Sequence, residues 1–194
     1  MKTIITLILS IFLFLNTGLA QNGADEIRAM LDERDEEIKE LLGPRGSEYT
    51  QEQRDRLKDI INDVIDFRTM SEIALGDTFN EISEEDREEF ISLFSTIIRD
   101  NSLNRLDIYR AEVTYNDITV ENGNAEVKTM AQMDNVRTSV DYDMELQNGV
   151  WQITDMRIDD VSTAESYRRQ FQSIIRQRGF DALLESLRRR AARA

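Results

Sequence analysis

The chain has 194 residues, no Cys and no His, 24 Lys and Arg against 38 Asp and Glu, and a formal net charge of −14. Without His or Cys there is no ordinary catalytic triad, no thiolate nucleophile and no typical zinc site, which leaves carboxylates, Lys, Tyr and Ser as the only catalytic material. The negative charge argues against nucleic acid as a ligand, because neutralising phosphates needs the opposite sign.

Met1 and Lys2 give a positive start, Ile4 to Leu15 is an apolar run, and Gly18-Leu19-Ala20 places small residues where a signal peptidase reads. Residues 1–20 are therefore expected to be a secretory signal, with the mature protein beginning at Gln21. The apolar run is too short to cross a hydrocarbon core of ~30 Å comfortably, and without Cys there is nothing to acylate as a lipoprotein. Residues 21–194 remain as one domain of ordinary size, stabilised by burial alone because no disulfide can form.

Ile27, Met30, Leu31, Ile38, Leu41 and Leu42 fall on one stripe, predicting an amphipathic helix over 24–42 that ends at Gly43-Pro44. Thr50-Gln51-Glu52-Gln53 is a capping box opening a second helix through Leu57, Ile60, Ile61, Val64 and Ile65. A short apolar helix through Met70, Ile73 and Leu75 stops at Gly76. Ser83 with Glu84, Glu85 and Asp86 caps the next, whose broad apolar face carries Phe90, Phe94, Ile97 and Ile98 as far as about Leu103.

The period then changes from 3.6 to 2. Ala111 to Tyr115, Ala125 to Ala131, Thr138 to Leu146 and a run from Trp151 to Ile158 alternate as antiparallel strands. Asn122-Gly123 and Asn148-Gly149 are hairpin turns, and the second predicts that Leu146 faces Trp151, Met144 faces Ile153 and Tyr142 faces Asp155. That register would put the Asp155 carboxylate on the face of Trp151 and Ile153. After Val161-Ser162, Tyr167, Phe171, Ile174 and Ile175 mark an amphipathic helix, and a Gly179-Phe180 break precedes a Leu-rich one. The order of elements is α+β: a sheet of about four antiparallel strands covered by N-terminal and C-terminal helices.

Two groups of residues carry a family resemblance. Asp66-Phe67, Met70, Ala74-Leu75-Gly76, Phe90 and Phe94 form the first; Trp151, Asp155, Val161-Ser162, Tyr167-Arg168, Phe171, Gly179 and Leu183-Leu184 form the second. Together they resemble the MlaC/toluene-tolerance family of periplasmic phospholipid-binding proteins over roughly residues 61–187. The resemblance implies a twisted sheet wrapped by helices around an apolar pocket for acyl chains. It also implies a periplasmic carrier, expected to be a monomer, that shuttles phospholipid between an inner-membrane transporter complex and an outer-membrane lipoprotein complex. Hopanoid-associated relatives share the signature, so the lipid class stays open. The pocket lining it implies is Phe67, Phe90, Phe94, Ile97, Ile98, Val140, Tyr142, Met144, Trp151, Ile153, Tyr167, Phe171, Ile174 and Ile175. No catalytic residue, metal or cofactor is expected.

On pattern alone these stripes read as plain core; the resemblance, not the periodicity, assigns them to a pocket. Asp155 invites a rival reading as the general base of a cone-shaped-sheet isomerase. With no His and no second inward carboxylate, it is better read as accepting hydrogen bonds from backbone or from a Tyr. An exported protein-binding adaptor is the third reading. Charge is also segregated: residues 165–194 hold eight Arg against three carboxylates, net +5, whereas residues 21–164 are net −20. The Arg surface fits phosphate headgroups or an acidic partner, although Arg188 to Arg190 read as a solvated, fraying tail.

Overall fold

The structure is a computed structural model, in which residues 22–46, 48–103, 106 and 108–193 are described in full. The export signal expected over residues 1–20 lies outside them. Helices α1 (Lys2–Leu42), α2 (Gln51–Val64), α3 (Phe67–Leu75), α4 (Thr78–Glu81) and α5 (Glu84–Leu103) lead through a 3-10 turn at Leu106–Arg110 to the sheet. Strands β1 (Glu112–Glu121), β2 (Asn124–Met133), β3 (Val136–Gln147), β4 (Val150–Ile158) and β5 (Val161–Ser162) form an antiparallel meander in sequence order, followed by α6 (Thr163–Arg178) and α7 (Phe180–Ala191).

The local signals act as expected. The Thr50 side chain accepts from Gln53 N while the Gln53 side chain accepts from Thr50 N, closing the capping box of α2. Ser83 Oγ accepts from Asp86 N at 3.1 Å at the start of α5. Asn122-Gly123 and Asn148-Gly149 have positive φ at both positions, as a type I′ turn requires.

Three details differ from expectation. The sheet has five strands, because Asp159 and Asp160 both take positive φ and turn the chain back for the two-residue β5. Short polar Asp side chains tolerate that conformation. The β3–β4 register holds for Leu146 with Trp151 and Met144 with Ile153, but a bulge at Thr154 then shifts it by one residue. Tyr142 pairs with Met156, and Asp155 pairs with Asp143. Because side chains alternate between faces, Asp155 leaves the face of Trp151 and Ile153. The Arg188 to Arg190 segment is also no frayed tail: it is helical, and Arg188 grips Glu89 with bonds of 2.6 and 2.7 Å.

The apolar residues separate into three clusters. In the first, α3, α5, α6 and α7 pack together, with Phe90 and Phe94 fully buried. In the second, Ile27 and Leu31 of α1 lie on the sheet against Ala125, Val127, Met144, Trp151 and Ile153. A third joins the end of α1 to α2 through Ile38, Leu42, Leu57 and Ile60. Ile65, between α2 and α3, touches all three and bridges in parallel to Ile153. Asp66 N donates to Ile153 O at 2.9 Å, so the helices are pinned to β4 at the point where the cores meet.

Candidate functional site

One face of the sheet, followed through its register, presents Val113, Tyr115, Ile118 and Val120 on β1, and Ala125, Val127, Thr129 and Ala131 on β2. It continues with Val140, Tyr142 and Met144 on β3, and Trp151, Ile153, Met156 and Ile158 on β4. Helix α1 covers one end of this face. At Gly23 the approach is close: a Cβ there would stand 3.2 Å from Val120 Cγ1 and 3.6 Å from Trp151 Cζ2. Helical glycine costs stability, and here it lets the helix sit low on the Trp151 ring.

The opposite end of the face is only partly covered. Val113, Ala131, Val140 and Met156 are half-buried, and Ile158 and Val161 are 43% and 54% exposed. Between the two ends lie Tyr115 and Tyr142, partly buried against the α1 core, with Tyr109 of the 3-10 turn nearby. Burial, followed by the Asp32 charge, pushes the Tyr115 hydroxyl well above its ordinary value of 10. Burial, followed by Tyr109, Asp35 and Asp141, does the same for Tyr142, and burial raises Tyr109. Three neutral hydroxyls therefore stand between an apolar floor and an open end. Beneath α1, the indole N–H of Trp151 is buried and has no acceptor, which costs about 1–3 kcal/mol unless a ligand supplies one.

Of the fourteen residues assigned from sequence, nine lie together in the helical cluster: Phe67, Phe90, Phe94, Ile97, Ile98, Tyr167, Phe171, Ile174 and Ile175. Its rings interlock, with Phe94 5.0 Å from Tyr167 and 5.6 Å from Phe171, both edge-on. Tyr142, Met144, Trp151 and Ile153 belong instead to the sheet cluster under α1. Val140 is in neither and stands on the same sheet face, toward its open end. Sequence reasoning left out Ile27, Leu31, Tyr109 and Tyr115. The helical stripe could have supplied the first two, whereas the 3-10 turn that places Tyr109 has no period to read.

Asp155 accepts from the Ser162 hydroxyl and, at 2.9 Å, from Ala164 N. Ser162 in turn caps α6 by accepting from Glu165 N. The carboxylate is thus committed to the start of α6. Among the described residues no cluster of His, Cys, Asp or Glu could hold a metal ion, and no helix is long and apolar enough to cross a membrane.

The fold and this helix-covered sheet face define the class. The chain matches the family described as MlaC protein over residues 24–189 and belongs to that family. Among solved structures it is similar to a phospholipid-binding protein from Ralstonia solanacearum, determined in complex with a phospholipid, with a TM-score of 0.73 and 19% identity over 88% of this chain and 97% of that one. No curated protein matches.

Proposed function

We propose that the protein is a non-enzymatic, periplasmic phospholipid carrier whose acyl chains insert between α1 and the sheet face of Val140, Tyr142, Met144, Trp151 and Ile153. The observation that carries this reading is the graded coverage of that face: closed under Ile27 and Leu31 at one end, partly open at Val140 and Ile158 at the other. The neutral Tyr142 hydroxyl and the orphaned Trp151 N–H are donors available to ester oxygens, whereas the Tyr115 hydroxyl bonds Asp32. Burying each CH2 is worth ~0.8 kcal/mol, so two long chains can hold a lipid without any catalytic group. The nine residues of the helical cluster pack apart from this slot and meet it at Ile65, which touches both clusters and bridges to Ile153 of β4.

Membership of the MlaC family and the phospholipid bound by the Ralstonia protein support a carrier over an isomerase. In this reading the monomer collects lipid at one membrane complex and releases it at another. The test is organic extraction of protein purified from the periplasm without detergent. Close to one phospholipid per protein is expected. Lipid-free protein that also takes none from vesicles overturns the reading.

A further inference from the structure

The positive charge of residues 165–194 is concentrated on one layer of the molecule. Helix α6 packs on α3, α7 packs on α5, and the two pack on each other, so the pair forms the outer layer of the helical end. The acidic remainder includes the described part of α1, where Asp25, Glu26, Asp32, Glu33, Glu36 and Glu40 are exposed.

Three guanidiniums of this layer are neutralised: Arg168 by Glu165 at 2.9 Å, Arg188 by Glu89 at 2.6 Å, and Arg189 by Glu185 at 2.7 Å. Arg169, Arg176, Arg178, Arg190 and Arg193 are exposed and make no ion pair among the described residues. Arg169 and Arg176 open, with Arg168 and Gln172, onto a cleft of about 390 Å³ that the carboxylates of Asp77 and Glu165 also line. The layer has no apolar anchor, because the large exposed hydrophobic side chains are Ile108, Val136, Leu146, Val150, Ile158 and Val161, all outside α6 and α7. Protein interfaces are centred on buried aromatic and apolar anchors. A face of unpaired arginines without one fits a diffuse array of phosphates.

We infer that the α6–α7 layer is a docking face for anionic phospholipid bilayers, which turns the slot toward or along the membrane while the acidic pole points away. The inference goes beyond the carrier reading and does not require cargo. It has a signature that a uniformly basic protein would lack. With a net charge of −14 over the full sequence, and −15 without residues 1–20, the whole molecule is repelled by an anionic bilayer when screening is weak. At about 0.01 M salt the screening length is ~30 Å and the acidic pole is felt; at about 0.15 M it is ~8 Å and only the apposed arginines act; at about 1 M it is ~3 Å and the attraction is lost. Binding therefore peaks at intermediate salt.

The experiment is flotation of the purified full-length mature protein with vesicles of phosphatidylcholine, with or without one-third phosphatidylglycerol, across that salt range. Phospholipid extracted from the same protein is measured in parallel, so that loss of docking and loss of cargo are read separately. Expected are binding to the anionic vesicles only, a maximum near physiological salt, and at least a roughly tenfold weaker association for R169Q/R176Q/R178Q with its bound lipid unchanged. R190Q/R193Q should weaken association as well, while R54Q/R137Q, away from this layer, should not. Failure of the wild type to bind anionic vesicles at any salt overturns the inference, even if the layer then proves to bind an acidic protein. Equal binding to neutral vesicles, or unchanged binding by both R169Q/R176Q/R178Q and R190Q/R193Q, overturns it too. If a variant unfolds, the wild-type salt profile still decides.

Discussion

A Cβ added to Gly76 would stand 2.9 Å from Nε of Arg168, so the glycine that ends α3 is also the floor on which α6 rests its guanidinium. Gln172, one turn further, donates to Leu75 O at 2.7 Å and Thr78 Oγ1 at 3.2 Å, stitching the same corner. Gly76 has φ 57° and ψ −139°, a region other residues enter only with strain. Gly76→Ala should cost roughly 1–3 kcal/mol in urea unfolding. Adding Arg168→Ala should relieve the contact but not the backbone strain, so the double variant should remain less stable than Arg168→Ala alone.

Asp155 lies at the junction of β4 and α6. Its two bonds, to the Ser162 hydroxyl and Ala164 N, tie β4 to the start of α6. Replacing Asp155 with Asn leaves one acceptor and turns the other toward a donor, at a cost of about 1–3 kcal/mol. Extractable phospholipid per folded molecule should not change. Loss of lipid from a protein of wild-type stability would instead make Asp155 a ligand contact.

Acid stability should depend on Asp66. Burial alone raises this carboxyl, but the bonds from Thr69 and from Gln147, the latter at 2.6 Å, outweigh it and hold the group below its ordinary value of 3.8. Because the folded value is depressed, the stabilisation is present above the unfolded value and lost as pH falls through the lower folded one. Urea midpoints measured from neutral pH downward should therefore decline below about pH 4, and Asp66→Asn should be less stable at neutral pH with a flatter acid limb. Parallel acid limbs for both proteins would count against this role.

The tyrosines give an alkaline counterpart. Of five tyrosines, Tyr109, Tyr115 and Tyr142 are raised above the ordinary value of 10. Their neutral forms stabilise the fold below the unfolded value, and that stabilisation is lost as pH rises through the folded ones. Titration at the phenolate absorption band should show these three ionising late, and in step with unfolding. Five groups titrating together near pH 10 in a still-folded protein would refute the enclosed setting of the hydroxyls.

Legibility from sequence follows the physics of each signal. Helices α2 and α5 are legible because their apolar stripes are wide and their caps are explicit at Thr50 and Ser83. The hairpins at Asn122-Gly123 and Asn148-Gly149 are legible because those dipeptides favour positive φ. The bulge at Thr154 is not, since a Thr in a strand carries no mark of an extra residue, and with it the facing of Asp155 is lost. Strand β5 is too short to show a period, and Asp159-Asp160 is a weaker turn signal than Asn-Gly. Above all, periodicity says that Phe94 and Met144 are both inside but not that they are inside different clusters. The partition of the fourteen assigned residues between helical bundle and sheet needed the tertiary fold.

The central claim, that acyl chains lie between α1 and the sheet, is tested most directly through Trp151, the single tryptophan of the chain, which is buried at 6% exposure beneath Gly23. Delipidated protein should be titrated with phospholipid carrying bromine on its acyl chains while Trp151 fluorescence is followed. Saturable quenching near one lipid per protein, weakened by Val140→Trp read through bound lipid rather than fluorescence, is the expected result. Stoichiometric lipid binding that leaves Trp151 unquenched would contradict the account, because the chains would then lie elsewhere.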